Sequence, residues 1–212
     1  DGGHAVGFEY GSHGLLSSAG LLNLEGQGGR DSVTGQVMGT SISAGGTIVS
    51  DIDYSDDFLE FERERFSHVE QNKGLYDVSY LRDAIGRINA KTEGFWDESI
   101  PGYVYSTEYY SYDLAGRLEV VFHRDGTGNQ NFDFENEAPD VVYTYDANGN
   151  RLSADYGDEG KWNGVYDAQD RLLMYCLEDM AATEDEPCAG SQEYNEYTYT
   201  DAGDLSTKTV VV

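Results

Sequence analysis

The sequence predicts an all-β protein made of tandem antiparallel β-hairpins that join into a curved or spiralling sheet. Three observations indicate this class. A motif, Tyr-Asp-x-x-Gly-Arg-Leu, recurs along the chain; aromatic and β-branched residues alternate with period two before it; and glycines return between its copies. Repetition of a short motif is typical of similar supersecondary units that each contact their neighbours.

Six copies of the motif are recognisable, and we refer to the residue at the Tyr position of each copy as its anchor. The clear copies start at Tyr112, Tyr145 and Tyr166, the last with Asp170 in place of the glycine. Weaker copies lie at residues 10–16, 82–88 and 199–205, and a remnant lies at 54–58. Because one or two degenerate units fit between residues 10 and 82, the sequence predicts about eight hairpins.

Each motif position has a role in closing a hairpin. The aspartate accepts hydrogen bonds from the N–H groups that follow it, and the glycine adopts a positive φ. The arginine and leucine start the return strand, with leucine inward and arginine outward. The residues expected at these turns are Asp83, Gly86, Asp113, Gly116, Asp146, Gly149, Asp167 and Gly203. A looser turn is expected near Gly94, Gly126 and Gly160, which completes an antiparallel meander.

The sequence predicts a single domain over residues 1–212, because no proline- or serine-rich linker divides it. Residues 1–75 are rich in glycine and poor in tyrosine, and we interpret them as degenerate repeats or as a cap. Residues 76–212 carry the clearer repeats. A chain of 212 residues is long enough to bury a hydrophobic core.

The copies at 145–152 and 166–172 make the chain resemble the YD-repeat family, also called RHS repeats. This family includes bacterial RHS proteins, the C components of insecticidal toxin complexes and animal teneurins. The resemblance is strongest over residues 76–205 and implies a long sheet that spirals into a hollow shell, here an incomplete one. It also implies carbohydrate as a ligand. The sequence lacks the Asp-Pro self-cleavage signature of the RHS core, so autoproteolysis is not expected.

The strong negative charge excludes two classes of partner. The chain carries 40 acidic and 13 basic residues, for a net charge of −27. Nucleic acids and anionic membranes repel such a surface, so neither is expected as a partner. We interpret the charge as a solvated coat that protects sheet edges; cation binding and adaptation to salt stay open. No stretch is long and apolar enough to insert into a bilayer.

The two cysteines indicate an oxidising location. Cys176 and Cys188 flank an acidic insert, and adjacent strands joined by such a loop bring their sulfurs within bonding range. We therefore predict a disulfide and a secreted, extracellular or cell-surface protein, with two unrelated thiols as the alternative.

No arrangement of residues predicts catalysis or a resident cofactor. The four histidines, His4, His13, His68 and His123, are scattered and lack the spacing of zinc ligands. Pairs of carboxylates arise by chance among 40 acidic residues. Two segments, 51–62 and 125–129, carry oxygen ligands that suggest calcium. The first has Asp56 where an EF-hand needs glycine, and the second has no closing glutamate, so ordinary turns are favoured over a metal site.

The aromatic residues have two interpretations. The motif tyrosines recur at one position in every unit, which is typical of a ladder of rings that builds a sheet face. Trp96 and Trp162 lie in or beside the looser turns, where exposure is expected, and they are the candidate contacts for carbohydrate.

The sequence therefore favours a non-enzymatic, extracellular structural or adhesive module that assembles through open sheet edges. Its expected partners are other copies of itself, the rest of a longer repeat protein, and glycans. The apolar tail, residues 209–212, is expected to dock on a sheet edge of its own chain or of a neighbour and to build a fibre. The alternatives are a fragment of a toxin-enclosing shell and a carbohydrate-binding module.

Overall fold

The computed structural model describes residues 6–11, 14–24, 29–43, 46–56 and 59–212. Within them the chain forms sixteen β-strands and one short 3-10 turn at Gly157–Glu159, so the all-β prediction is confirmed.

The strands are short near the N-terminus and longer in the middle of the chain. In order they are β1 (Phe8–Tyr10), β2 (Leu16–Ala19), β3 (Leu22–Asn23), β4 (Gly39–Ser43), β5 (Thr47–Tyr54), β6 (Phe61–His68), β7 (Lys73–Arg82), β8 (Ile88–Asp97), β9 (Gly102–Tyr112), β10 (Leu118–Asp125), β11 (Val141–Tyr145), β12 (Arg151–Asp155), β13 (Lys161–Tyr166), β14 (Leu172–Leu177), β15 (Tyr194–Tyr199) and β16 (Leu205–Val211). They form one antiparallel sheet whose strand order equals the chain order, as expected for tandem hairpins. The sheet is open, because β1 and β16 are its two edges in the part of the chain that the structure describes.

The period of two in the sequence determines which side chains are buried. In β8, Ala90, Thr92 and Gly94 are buried, and the residues between them are only partly covered. The Thr92 hydroxyl bonds to that of Thr107 on β9 at 2.9 Å, so the polar group among these buried positions has a partner. Alternation of this kind is what a pleated strand imposes.

The chain divides into two compact units. The first comprises Asp1–Tyr109 with Arg124–Phe132. Its buried apolar residues are Val49, Val78, Ala90 and Tyr109. The second comprises Tyr110–His123 with Asp133–Val212. Its buried apolar residues are Val121, Phe122, Val141, Ala154 and Cys176. The single domain over residues 1–212 stays a prediction.

Gly94 is not at a turn, contrary to the sequence-based expectation. It lies inside β8, and the chain reverses between β8 and β9, at residues 98–101. The reason is packing across strands: a Cβ at Gly94 would lie 2.5 Å from Cε1 of Tyr105 on β9. The glycine therefore makes room for an aromatic ring.

The apolar tail is part of the sheet of its own chain. In β16, Thr209, Val210 and Val211 pair with residues of β15. The tail therefore docks on a sheet edge of its own chain, whereas fibre formation stays a prediction.

Within the described ranges, no helix has the length and apolar character needed to span a membrane.

Candidate functional site

The turns that carry the motif share one hydrogen-bonding pattern, seen in full at residues 83–87. Asp83 N–H donates to the carbonyl of Arg87 at 2.9 Å, and Gly86 N–H donates to that of Asp83 at 3.0 Å. The Asp83 carboxylate also accepts from the N–H groups of Ile85 and Arg87, both at 3.0 Å. Gly86 has a φ of 87°, which a residue with a Cβ rarely adopts. The aspartate and the glycine therefore have the roles expected of them.

The motif arginine closes the same turn. Its Nε lies 2.7 Å from the aspartate of its own turn at three copies, which are Arg87–Asp83, Arg117–Asp113 and Arg171–Asp167. The backbone N–H of Arg117, with the guanidinium of the same residue, holds the pKa of Asp113 below its usual value. These aspartates stay ionised at neutral pH as acceptors within the turn.

The copy at residues 145–152 departs from the expected positions, and the copy after it has the aspartate that the sequence places at the glycine position. At residues 146–150, Asn150 replaces the arginine and donates its side-chain amide to Asp146 at 2.8 Å. Arg151 then pairs with Tyr145 where leucine was expected, and Leu152 is 42% exposed. In the next copy, Asp170 occupies the glycine position with a φ of 60°.

The other turn residues lie at matching bends. Asp146 and Gly149 close their turn through a bond of 3.2 Å, and Asp113 and Gly116 through one of 2.9 Å. Gly203 has a φ of 89° in a turn where Thr200 stands for the aspartate.

A turn at residues 30–37 was missed by sequence reasoning. Asp31 N–H donates to the carbonyl of Gln36, and Gly35 N–H donates to that of Asp31, both at 2.9 Å. Arg30 takes the anchor position, and the loop has one residue more than the motif. The signal available in the sequence was the aspartate and glycine at a spacing of four instead of three. Ser55 N–H donates to the carbonyl of Glu60 at 2.8 Å and so closes a further turn after Tyr54. Within the described residues, eight such turns join the sixteen strands in pairs.

The anchor side chain fastens each repeat to the one before it. We name the residue at the Leu position, which pairs with the anchor, the return residue. At six junctions an anchor donates to the backbone carbonyl of the preceding return residue: Arg30 to Leu16 (2.7 Å), Tyr54 to Val37 (3.0 Å), Arg82 to Phe61 (3.4 Å), Tyr145 to Leu118 (2.7 Å), Tyr166 to Arg151 (3.2 Å) and Tyr199 to Leu172 (2.8 Å). We call this contact the anchor clamp.

The ladder between neighbouring repeats explains why the clamp is needed. At six junctions, five of which carry a clamp named above, the register is the same: the residue two after the return residue pairs with the residue three before the next anchor. The Leu16–Arg30 junction differs, because Ser18 pairs with Asn23 there. The six matching pairs are Gly39–Asp51, Arg63–Ser79, Ala90–Tyr109, Val120–Val142, Ser153–Asn163 and Met174–Glu196. The return residue thus lies beyond the end of the ladder. Its carbonyl has no strand partner, and the anchor supplies the missing donor.

Arginine strengthens the clamp from the preceding turn. The Arg117 guanidinium lies 4.6 Å from the centre of the Tyr145 ring, and that of Arg171 lies 4.9 Å from the Tyr199 ring. Arg117 also donates to the carbonyl of Asp146 at 2.9 Å. The sequence predicted that the motif arginine points outward. Its guanidinium instead contacts the next repeat. Burial raises the pKa of Tyr145, so its hydroxyl remains a donor at neutral pH.

The candidate carbohydrate contacts lie inside strands and are half-buried. Trp96 in β8 meets Tyr103 edge-on at 5.5 Å, and Trp162 in β13 stacks on Tyr175 at 5.2 Å. Trp96 also lines a cavity of about 400 Å³ together with residues that include Arg65. Carbohydrate binding at either tryptophan stays a prediction.

Cys176 and Cys188 form a disulfide with their Cα atoms 5.7 Å apart. Cys176 is fully buried in β14, and Cys188 belongs to the loop that leads to β15. This loop borders a groove of about 750 Å³, whose lining includes Val165, Met174 and Tyr197.

The calcium segments do not converge on a metal site within the described residues. Asp51 and Asp53 are exposed in β5, and residues 57–58 of that segment lie outside the description. Gly126, in the second segment, donates its N–H to the carbonyl of Tyr105 at 2.8 Å. In the described ranges no group of three or more His, Cys, Asp or Glu is placed to hold a metal ion. His4 and His13 lie outside those ranges.

No protein-family model and no curated protein matches the chain. Among solved structures it is similar to TcdB2-TccC3, with 10% sequence identity and a TM-score of 0.36, over 97% of this chain and 14% of that one. TcdB2-TccC3 without its hypervariable C-terminal region gives 9% identity and a TM-score of 0.37 over the same shares. TcdB2-TccC3-Cdc42 gives 12% and 0.32, over 97% and 13%. The chain thus spans 13–14% of the length of these chains.

Proposed function

We propose that this chain is a structural β-repeat module, in which hairpins are fastened to one another to extend a scaffold and in which no group performs catalysis. The observation that carries the proposal is the anchor clamp, repeated at six junctions. The clamp joins each unit only to its neighbour. This is typical of repeat arrays, in which stability comes from the interfaces between successive units.

The use of the motif's polar groups supports the same proposal. The aspartate accepts within its turn, the arginine bonds that aspartate and covers the next anchor ring, and the tyrosine hydroxyl donates to a carbonyl. The residues that recur in the sequence therefore serve the backbone. A catalytic group would instead need a free polar atom at a cleft.

The setting that we propose is extracellular. The Cys176–Cys188 disulfide supports it, because disulfides persist in oxidising compartments. Other copies of the chain, or further repeats of a longer protein, are the proposed partners. In the alternative form of the proposal, the module is a stretch of the wall of a toxin-enclosing shell. That form requires a much longer parent protein with a variable region downstream, which the parent reading frame would show.

Removing the last hairpin tests the repeat-array proposal. A chain that ends at residue 193 loses β15 and β16 but keeps the disulfide. Because each unit contacts only its neighbours, we expect the rest to stay folded with a lower free energy of unfolding. Circular dichroism should retain the strand signal, and hydrogen exchange should find β5 to β9 as protected as in the full chain. Loss of protection in β5 to β9 would contradict a neighbour-by-neighbour array.

A further inference from the structure

The two edges of the sheet carry the two unfilled halves of an anchor clamp. Tyr10 is the anchor of the first hairpin; its side chain is 66% exposed, and its hydroxyl has no hydrogen-bond partner among the described residues. Leu205 is the return residue of the last hairpin and is 57% exposed. Within the described chain no anchor donates to the Leu205 carbonyl. A free donor thus lies at one edge and a free acceptor at the other.

The register that six junctions share specifies how two such edges would meet; the Leu16–Arg30 junction, where Ser18 pairs with Asn23, does not follow it. At six junctions the residue two after the return residue faces the residue three before the next anchor. Applied to Leu205 and Tyr10, the same rule places Thr207 opposite Gly7. Both residues are exposed, and nothing lies within 4 Å of the position of a Cβ at Gly7. A side chain at position 7 therefore meets no steric obstacle among the described residues, and all three residues of β1 are exposed.

The charges at the two edges are compatible with contact in spite of the acidity of the chain. β16 contains no acidic residue and carries Lys208, whereas β1 carries Glu9. In a chain with 40 acidic residues, an edge strand without a carboxylate adds no negative charge to its contact with a second copy. The outer side of this edge presents backbone N–H and C=O groups, which are a template for strand addition.

We propose that the β16 edge of one chain pairs with the β1 edge of a second copy, with the Tyr10 hydroxyl donating to the Leu205 carbonyl and Thr207 facing Gly7. This contact rests on the proposed function, because it continues the junction that joins the repeats within one chain. It uses different surfaces on the two copies. Such a heterologous contact leaves one free edge at each end, so further copies add in the same way.

Disulfide trapping between two variants tests the contact and its register. One preparation carries Gly7→Cys, the other carries Thr207→Cys with an affinity tag of different mass, and both keep the native disulfide. Directly paired antiparallel residues have Cα atoms within the range that a disulfide bridges. After air oxidation of the mixture, mass spectrometry should find the 7–207 crosslink. In the matched control Ser206→Cys replaces Thr207→Cys, and since neighbouring side chains point to opposite faces, we expect at least about fivefold less crosslink.

Sedimentation provides a second readout that does not depend on cysteine. Tyr10→Phe should weaken self-association about threefold to tenfold, as expected for the loss of one hydrogen bond. Tyr145→Phe removes a clamp inside the chain, away from both edges, and should leave self-association unchanged. Equal crosslinking of the 206 and 207 variants, or a chain that stays monomeric at about 1 mM, would overturn the proposal. If trapping fails while the chain ending at residue 193 keeps its protected strands, the contact between copies is wrong and the repeat scaffold stands.

Discussion

Replacing Asp77 with asparagine should lower the free energy of unfolding by about 2 kcal/mol, because the buried carboxylate is the charged acceptor shared by the partly exposed guanidinium groups of Arg63 and Arg65. Asp77 lies in β7 and is 2% exposed. Its carboxylate accepts from Arg63 Nε at 2.8 Å and Nη2 at 2.5 Å, and from the Tyr105 hydroxyl at 2.9 Å. Arg65 lies 3.4 Å away on the same side. The asparagine keeps the volume of the side chain, but it removes the charge and replaces one acceptor oxygen with an NH2 donor.

The Asp77 carboxylate also makes the free energy of unfolding depend on pH. Burial works to raise the pKa of Asp77, but hydrogen bonds from Arg63 and Tyr105 and the nearby guanidinium charges outweigh it, so the pKa lies below its usual value. A carboxyl with a lowered pKa stabilises the fold at pH values above its unfolded pKa of about 3.9. This contribution is lost as the pH falls from there through the folded pKa. Asp77→Asn should therefore reduce the acid sensitivity of unfolding.

Urea denaturation at neutral pH and at pH 3 measures both effects. The matched control is Glu98→Gln, which removes an ion pair with Lys73 in which Glu98 is 76% exposed. Exposed pairs contribute little, so this variant should unfold at the same urea concentration as the parent. A loss for Asp77→Asn no larger than that of the control would mean that the buried cluster does not stabilise the sheet.

Opening the Cys176–Cys188 disulfide should cost about 3 kcal/mol of stability. The bond closes a loop with a sequence separation of 12, and cross-linking a loop of this size lowers the conformational entropy of the unfolded chain. Reduction should also free the loop that borders the groove beside β14 and β15. The expected result is a lower midpoint of urea denaturation in the presence of a phosphine reductant.

A variant with both cysteines replaced by alanine provides the control for the reductant. It should unfold at the lower midpoint under oxidising and reducing conditions alike. If the parent protein keeps its midpoint after mass spectrometry confirms reduction, the disulfide contributes nothing to the fold.

The corners of the hairpins were predictable from sequence because their chemistry is local. Asp113 meets its partners at most four residues away, and Gly116 fills a position that favours glycine by backbone conformation alone. Where a copy gains one residue, as at 30–37, the same turn forms but the spacing no longer matches the motif.

The anchor clamp was not predictable, because its acceptor is a backbone carbonyl and leaves no mark in the sequence. Tyr145 and Leu118 are 27 residues apart, and nothing about leucine indicates a hydrogen-bond acceptor. The position of Gly94 was also not predictable, because glycine is needed there to make room for the ring of Tyr105 on the next strand. Trp96 was expected to be exposed because the sequence placed it in or beside a turn. In the structure it lies within β8, which ends at Asp97.

The most direct test of the account is a matched set of tyrosine-to-phenylalanine variants in thermal and urea denaturation. Tyr54, Tyr145 and Tyr199 each donate to the carbonyl of a preceding return residue, whereas the Tyr197 hydroxyl has no hydrogen-bond partner in the described part of the chain. Loss of the clamp at each of the three should cost about 1 kcal/mol, and Tyr197→Phe should cost less than about 0.5 kcal/mol. Equal losses at all four positions would contradict the claim that the anchors fasten the repeats together.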